Sequence, residues 1–154
     1  MGNHEAKSEV AAAKAIATIA HRFQTDKIGV PYIEHPRRVA ARLNDPKQVA
    51  AAWLHDVIED CGVTAKDLAA AGISEEVVQA VVLLTRTDDN KGDGYYEAIR
   101  NNPIASAVKL ADIEDNTDPK RTGRLDPEKR AELADKYEKA RRLLAVYDEQ
   151  PRPS

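Results

Sequence analysis

Cysteine, large aromatic side chains and any surplus of one charge are scarce in this 154-residue chain. A single cysteine, Cys61, excludes an intramolecular disulfide and a cysteine-rich zinc site. One Phe and one Trp stand in a background rich in Ala and charged residues. That balance suits close-packed helices better than a sheet, because Ala, Glu, Lys and Arg are strong helix formers. A net charge of -3 gives no general nucleic-acid footprint, and acidic residues are interspersed with most of the Lys/Arg clusters. No apolar run reaches membrane-spanning length, and the opening Met-Gly-Asn-His-Glu lacks the hydrophobic core of a secretory signal. The expectation is a cytoplasmic protein with no nucleic-acid or membrane partner. One domain is expected over residues 1–154, with its core at about 5–149 and a flexible tail at 150–154.

The apolar pattern predicts an all-α chain of about seven or eight helices, with no internal repeat and no strand pattern. Val10, Ile16, Ile19 and Phe23 recur at helical spacing in an Ala-rich stretch from about Glu5 to Phe23. A loop at Gly29 and Pro31 precedes a helix from near Pro36 to about Leu43. Asp45-Pro46 and Asp126-Pro127 each place a capping side chain before a proline at the first helical position. The helix after Pro46 carries Trp53, Leu54, Val57 and Ile58, and Gly62 is placed to end it. Thr64 with Asp67 resembles a capping box, and Ser74 opens the next helix. Asp88–Gly94 reads as a mobile loop, Asp118–Gly123 as a polar connection, and Pro127 onward as a long final helix. Trp53 is core by its spacing, Cys61 a small filler, His4 a disordered terminus, and His21 either near a pocket or partly exposed.

Against that background stands Ala-Ala-Trp-Leu-His-Asp-Val-Ile-Glu-Asp (51–60), with four ionisable side chains in six residues of an otherwise buried helix. His55 and Glu59 are at i, i+4, as are Asp56 and Asp60, so each pair would share a helical face. Burying that charge is costly unless something of opposite sign neutralises it. A divalent metal would do so, which predicts a metal-dependent hydrolase site. Two further segments offer ligands: His35 at a loop-to-helix junction before Pro36, and Asp112 on the apolar face of Val-Lys-Leu-Ala-Asp. Two imidazoles with two carboxylates suit Mn²⁺, Fe²⁺ or Zn²⁺ more than Ca²⁺. The spacing itself does not bring these segments together.

The order His35, His55-Asp56, Asp112 resembles the H…HD…D signature of the HD-domain phosphohydrolases. Pro-Tyr-Ile-Glu-His-Pro (31–36), Leu-His-Asp-Val-Ile-Glu-Asp (54–60) and Val-Lys-Leu-Ala-Asp (108–112) are similar to one branch of them. That branch is the RelA/SpoT hydrolase domain and the stand-alone small alarmone hydrolases, the Mesh1-like proteins. The similarity runs from roughly Ala11 to Tyr147. It implies a compact HD-domain helical bundle with His35, His55, Asp56 and Asp112 as metal ligands and Mn²⁺ as the usual ion. Glu59-Asp60 would orient and activate the attacking water, and Asn116 would contact the nucleoside. Lys27 and Tyr32 would lie toward the substrate, as would Arg130 and Tyr137, which share a face of the last helix. The implied reaction removes the 3′-pyrophosphate from ppGpp or pppGpp, giving GDP or GTP.

The chain departs from that family at two places, both concerning substrate rather than the metal shell. Where the family carries an Arg-Lys pair, this chain reads Asp26-Lys27, and where a basic residue follows the last metal-binding Asp, it has Ile113. Arg22, Lys109, Lys120, Arg121, Arg124 and Arg130 are alternative sources of positive charge. Other readings of the residues remain open. His35 could serve a turn, His55-Asp56 could be a buried structural pair, Asp112 a surface acid, and Glu59-Asp60 a solvent-facing pair. Asp115 and Asn116 could start a turn. Other functions are a phosphatase for a nucleoside monophosphate or the 2′-phosphate of NADPH, or a non-catalytic nucleotide sensor. An Ala-rich, Tyr-bearing surface on the first or last helix could mediate a homodimer.

Overall fold

The computed structural model describes residues 2–89 and 92–149, with side chains described for 4–89 and 92–145. All of its regular structure is helical: α1 (Gly2–Ala20), α2 (Glu34–Ala41), α3 (Pro46–Leu54), α4 (Val57–Cys61) and α5 (Ala65–Ala70). They are followed by α6 (Glu75–Leu84), α7 (Asp93–Arg100), α8 (Pro103–Asn116), α9 (Pro119–Thr122) and α10 (Pro127–Glu149). The all-α expectation therefore holds. Eight of these helices have six or more residues, in line with the expected seven or eight; the other two are the short α4, which the break at His55 sets apart from α3, and the short α9 within Asp118–Gly123.

The Ala-rich composition finds its reason in α3. Ala50, Ala51 and Ala52 are all fully buried, and three successive residues span more than half the helix circumference. A helix enclosed on all sides fits, since α1, α2, α6 and α8 all pack against α3. On α1, Ala13 and Ala17 are also fully buried and let the α1 and α3 backbones approach closely. Larger side chains fill the remaining core: Leu54, Val57, Val77, Val81, Ile99, Val108 and Ile113 are each 0% exposed. Each contributes about 1.5–3 kcal/mol of apolar burial. α10 covers α7 and α8 on the outside.

Local signals set most helix ends as expected. Asp45 accepts from the Gln48 N–H, Asn102 from Ala105, Asp118 from Lys120 and Asp126 from Lys129. Thr64 and Asp67 form a reciprocal capping box, and Gly62 ends α4 at φ 72°, a left-handed conformation that favours glycine. Several expectations need correction. Ser74 stands at the N-cap of α6, but its hydroxyl donates to Glu9 at 2.7 Å instead of capping. α1 begins at Gly2, so His4 is helical, and it ends before Phe23, which is 88% exposed, with Ile19 at 61%. Ile19 faces solvent from α1 and Phe23 from the turn after it, while His21 between them is buried. α2 begins two residues before Pro36. Asp93 and Gly94 belong to α7, and the rest of the expected loop includes Asn90 and Lys91, which lie outside the described residues, as does the tail at 150–154. No helix among the described residues is long and apolar enough to cross a membrane.

Candidate metal centre

Three helix segments converge on one cleft of about 280 Å³, at the small end of ligand sites. His35 comes from the first turn of α2, His55-Asp56 from the break between α3 and α4, and Asp112 from the buried face of α8. The break overturns the expectation of one continuous helical face through residue 60. Ala52 O accepts from both the His55 backbone N–H (3.4 Å) and the His55 ring Nδ1 (2.6 Å). That carbonyl is the one an unbroken helix would offer to the Asp56 N–H. Asp56 then takes φ -110° and ψ -2° and starts α4 afresh.

The ring contact also orients His55. Because a carbonyl only accepts, Nδ1 carries the hydrogen and Nε2 faces the cleft. Nε2 is buried and has no hydrogen-bond partner, although Asp56 Oδ2 stands 3.1 Å and Asp112 Oδ1 3.5 Å away. His35 is fixed likewise: its Nδ1 donates to Asp115 Oδ2 at 2.7 Å, and its Nε2 faces Asp112 Oδ1 at 2.8 Å. One donor atom each from His35, His55 and Asp56 lies within 4.8 Å of the others. Asp112 Oδ1 completes a mixed nitrogen/oxygen set of the kind that suits a divalent transition metal. A buried imidazole nitrogen without a partner, turned toward two carboxylates, fits such an ion.

The electrostatics are those of an interlocked cluster. Burial alone would lower both imidazoles, but hydrogen bonds and charges from Asp112, Asp115 and Asp56 raise them. Burial alone would raise the carboxyls, yet His55 holds Asp56 down at about 2, and His35, His55 and Lys109 hold Asp112 well below the usual range. Lys109, itself buried, donates to Asp112 Oδ2 at 3.1 Å.

The structure distributes the remaining predicted residues unevenly. Tyr32 lines the cleft, but its hydroxyl donates to Asp56 Oδ2 at 2.5 Å, so it supports a metal-facing carboxylate. Burial and the Asp56 charge raise its pKa, so it remains a donor. Asn116 lines the cleft and donates to Asp112 Oδ1 at 3.2 Å. Tyr137 lines it from α10. Glu59 lines it, with Oε1 accepting from the Arg86 backbone N–H at 2.7 Å. Asp60 is not part of the lining; it accepts from Gln24 Nε2 at 3.4 Å, and burial and the Asp56 charge raise its carboxyl. Lys27 is exposed outside the cleft, and Arg130 borders a different cavity with Thr117 and Leu133. Arg130 and Tyr137, seven residues apart, diverge because α10 presents them to different neighbours.

Both departures from the family pattern have a structural account. Asp26 lines the cleft, but its Oδ1 accepts from the Ile28 and Val30 N–H groups at 2.9 Å each, which closes the loop beneath it. Ile113 is fully buried in the core, where an unpaired basic side chain would be costly.

Sequence reasoning missed Asp115, Arg38, Arg86, Tyr95 and Lys136. Asp115 is 0% exposed and lies seven residues after the buried Val108 on α8, a periodicity that was available as a signal. Arg38 lies three residues after His35 on α2, one turn along the same face. Arg86 follows the end of α6, and no pattern in the sequence aims it at the cleft. His21 proves fully buried; its Nδ1 lies 2.8 Å from Gln24 Oε1 and 3.3 Å from Cys61 Sγ, so Cys61 does have a histidine neighbour.

The chain has similar proteins both in sequence and in fold. No protein-family model matches the chain. A guanosine-3′,5′-bis(diphosphate) 3′-pyrophosphohydrolase of Vibrio cholerae is 36% identical over 145 residues, covering 86% of this chain and 20% of that protein. The bifunctional (p)ppGpp synthase/hydrolase SpoT of Escherichia coli is 34% identical over 145 residues, with the same coverage. In sequence the chain is similar to these two proteins over 86% of its own length. Its fold matches a solved structure of a metazoan ortholog of SpoT that hydrolyzes ppGpp, with a TM-score of 0.70 over 88% of this chain and 85% of that one, at 24% identity. The chain spans about one fifth of the length of the curated proteins it matches.

Proposed function

We propose that the chain is a metal-dependent guanosine 3′,5′-bis(diphosphate) 3′-pyrophosphohydrolase acting on a small nucleotide in a cytoplasmic setting. The carrying observation is the convergence of His35, His55 and Asp56 within 4.8 Å, with Asp112 against both rings, at the floor of one cleft. His35, His55, Asp56 and Asp112 would hold the ion, for which Mn²⁺ is our first choice and Fe²⁺ or Zn²⁺ the alternatives. When bound, such an ion supplies Lewis acidity toward a water and a phosphate oxygen.

The chain's own groups do the rest. Glu59, held by the Arg86 N–H, faces the cleft as the carboxylate that takes the water's proton, with Asp60 behind it. The water oxygen bonds to the phosphorus on the ribose 3′-oxygen. The 3′ P–O bond breaks, the 3′-oxygen takes up a proton, and GDP and pyrophosphate result. Asn116 and Tyr137 flank the nucleoside, and one domain over 1–154 suffices for the site.

The test is product analysis of Mn²⁺-loaded protein incubated with ppGpp, with Asp56→Ala as control. GDP plus pyrophosphate, lost in the control, is the expected result. Metal binding without turnover rejects this substrate and passes the search to nucleoside monophosphates and NADPH.

A further inference from the structure

Two arginines on the cleft wall are held by one buried carboxylate. Arg38 of α2 donates through Nε to Asp115 Oδ1 at 2.9 Å, and Arg121 of α9 reaches Oδ2 through NH1 at 3.2 Å. Asp115 is fully buried, both guanidinium side chains are 35% exposed, and both line the cleft. A third arginine, Arg42, lies 3.9 Å from Asp115 but turns to Glu114 (3.5 Å) and Asp118 (3.4 Å) and is not part of the lining. One carboxylate therefore faces two cleft guanidiniums, leaving a surplus of positive charge on that wall. A guanidinium has five N–H donors, and the bond to Asp115 uses one on each residue. The Arg121 Nε is a buried donor with no partner.

Of the other cations near the centre, Lys109 is committed to Asp112, Arg86 donates to the Tyr96 hydroxyl at 2.6 Å, Lys136 lines the cleft from α10, and Lys27 lies outside it. Asp115 also holds His35, so the arginine pair and the imidazole share one support.

The geometry points to Arg38 and Arg121 as an anion subsite that binds a phosphate group of the nucleotide beside the metal centre. Guanidiniums already fixed by a carboxylate lose little side-chain freedom on binding, and their planar forks match phosphate oxygens two at a time. Asp115 acts as the positioning residue for the pair. The inference rests on the functional reading above only for the identity of the nucleotide.

Calorimetry of inorganic pyrophosphate against the full, chelator-treated chain reads these contacts without chelation of metal by the probe. The wild-type chain should bind, and more weakly as salt increases. Arg38→Gln and Arg121→Gln should each weaken binding about tenfold or more, the loss of a charge-assisted hydrogen bond. Arg121→Lys should recover only part, because it restores charge without the fork. Arg42→Gln should bind as the wild type does. Circular dichroism verifies folding, and where a glutamine variant unfolds the corresponding lysine variant carries the comparison. No binding by the wild type, unchanged affinity in the cleft variants, or an equal loss in Arg42→Gln overturns the subsite. Pyrophosphate binding without ppGpp turnover in the Mn²⁺-loaded wild type overturns the functional reading and supports the subsite. Turnover with wild-type KM and pyrophosphate affinity in Arg38→Gln and Arg121→Gln overturns the subsite alone.

Discussion

The floor of the cleft and its rim are built on different principles. On the floor, His35, His55, Asp56 and Asp112 come from helices locked into the core, and each side chain is constrained by another. His55 is set by Ala52 O, His35 by Asp115, Asp56 by Tyr32, and Asp112 by Lys109 and Asn116. On the rim, Lys27 stands on an exposed turn, Asp60 on the exposed side of α4, and Arg130 on the outer surface of α10. A floor of this kind is preorganised, whereas rim groups are free to adapt and are weakly coupled to the fold.

Removing a floor residue should have the largest effect. Asp112→Ala leaves the buried Lys109 ammonium without its carboxylate and should cost about 3–5 kcal/mol. It should also abolish metal binding, read by denaturation and by calorimetry with Mn²⁺. If Lys109 simply swings to solvent and stability is unchanged, the floor is less interlocked than the distances imply.

One shell farther out, Asp115→Asn should reduce metal affinity about 10- to 100-fold by loosening His35. It should also change the acid limb of stability. Burial alone would raise the Asp115 carboxyl, but His35 and Arg38 hold it below its usual value. A depressed carboxyl contributes stability that is fully present above its unfolded value of about 4 and lost as pH falls through the lower folded one. The wild-type melting temperature should therefore fall more steeply than that of Asp115→Asn below about pH 4. Parallel curves would show that Asp115 contributes nothing by ionisation.

Tyr32→Phe removes only a hydroxyl, the donor to Asp56, and should cost about 1.5 kcal/mol in chemical denaturation. At the rim, Lys27→Ala and Arg130→Ala should leave stability within about 0.5 kcal/mol of wild type and leave ppGpp turnover unchanged. A tenfold fall in kcat/KM for either would mean that the rim closes over substrate and would dissolve the contrast.

The same contrast explains what could be read from the sequence. His55-Asp56 and Asp112 stood out in the sequence because a charge in an apolar run is costly, whereas their grouping with His35 came from the resemblance, since spacing does not bring the segments together. The caps at Asp45, Thr64, Asn102 and Asp126 follow local backbone chemistry. Phe23 misled because periodicity records a helix face without saying whether anything covers it; at the same end of the segment Ala17 and His21 are buried while Ile19 and Phe23 face solvent. Asp115 was hidden among acidic neighbours that read as a turn, although its partners Arg38 and Arg121 lie 77 and 6 positions away in the chain.

By itself the sequence determined the helical class, several helix ends and the prominence of His55-Asp56 and Asp112 as charges in apolar runs. These depend on interactions within a few residues of chain, on side-chain bulk and on the cost of burying charge. Only the tertiary structure decided that α3 breaks at His55, that Asp26 is spent on its own loop and that Arg38, Arg121 and His35 meet on one buried carboxylate. The first two are local contacts, with Ala52 and with Ile28 and Val30, that no residue pattern singles out, whereas the last depends on groups brought together by packing across the core, which no local preference of the chain encodes.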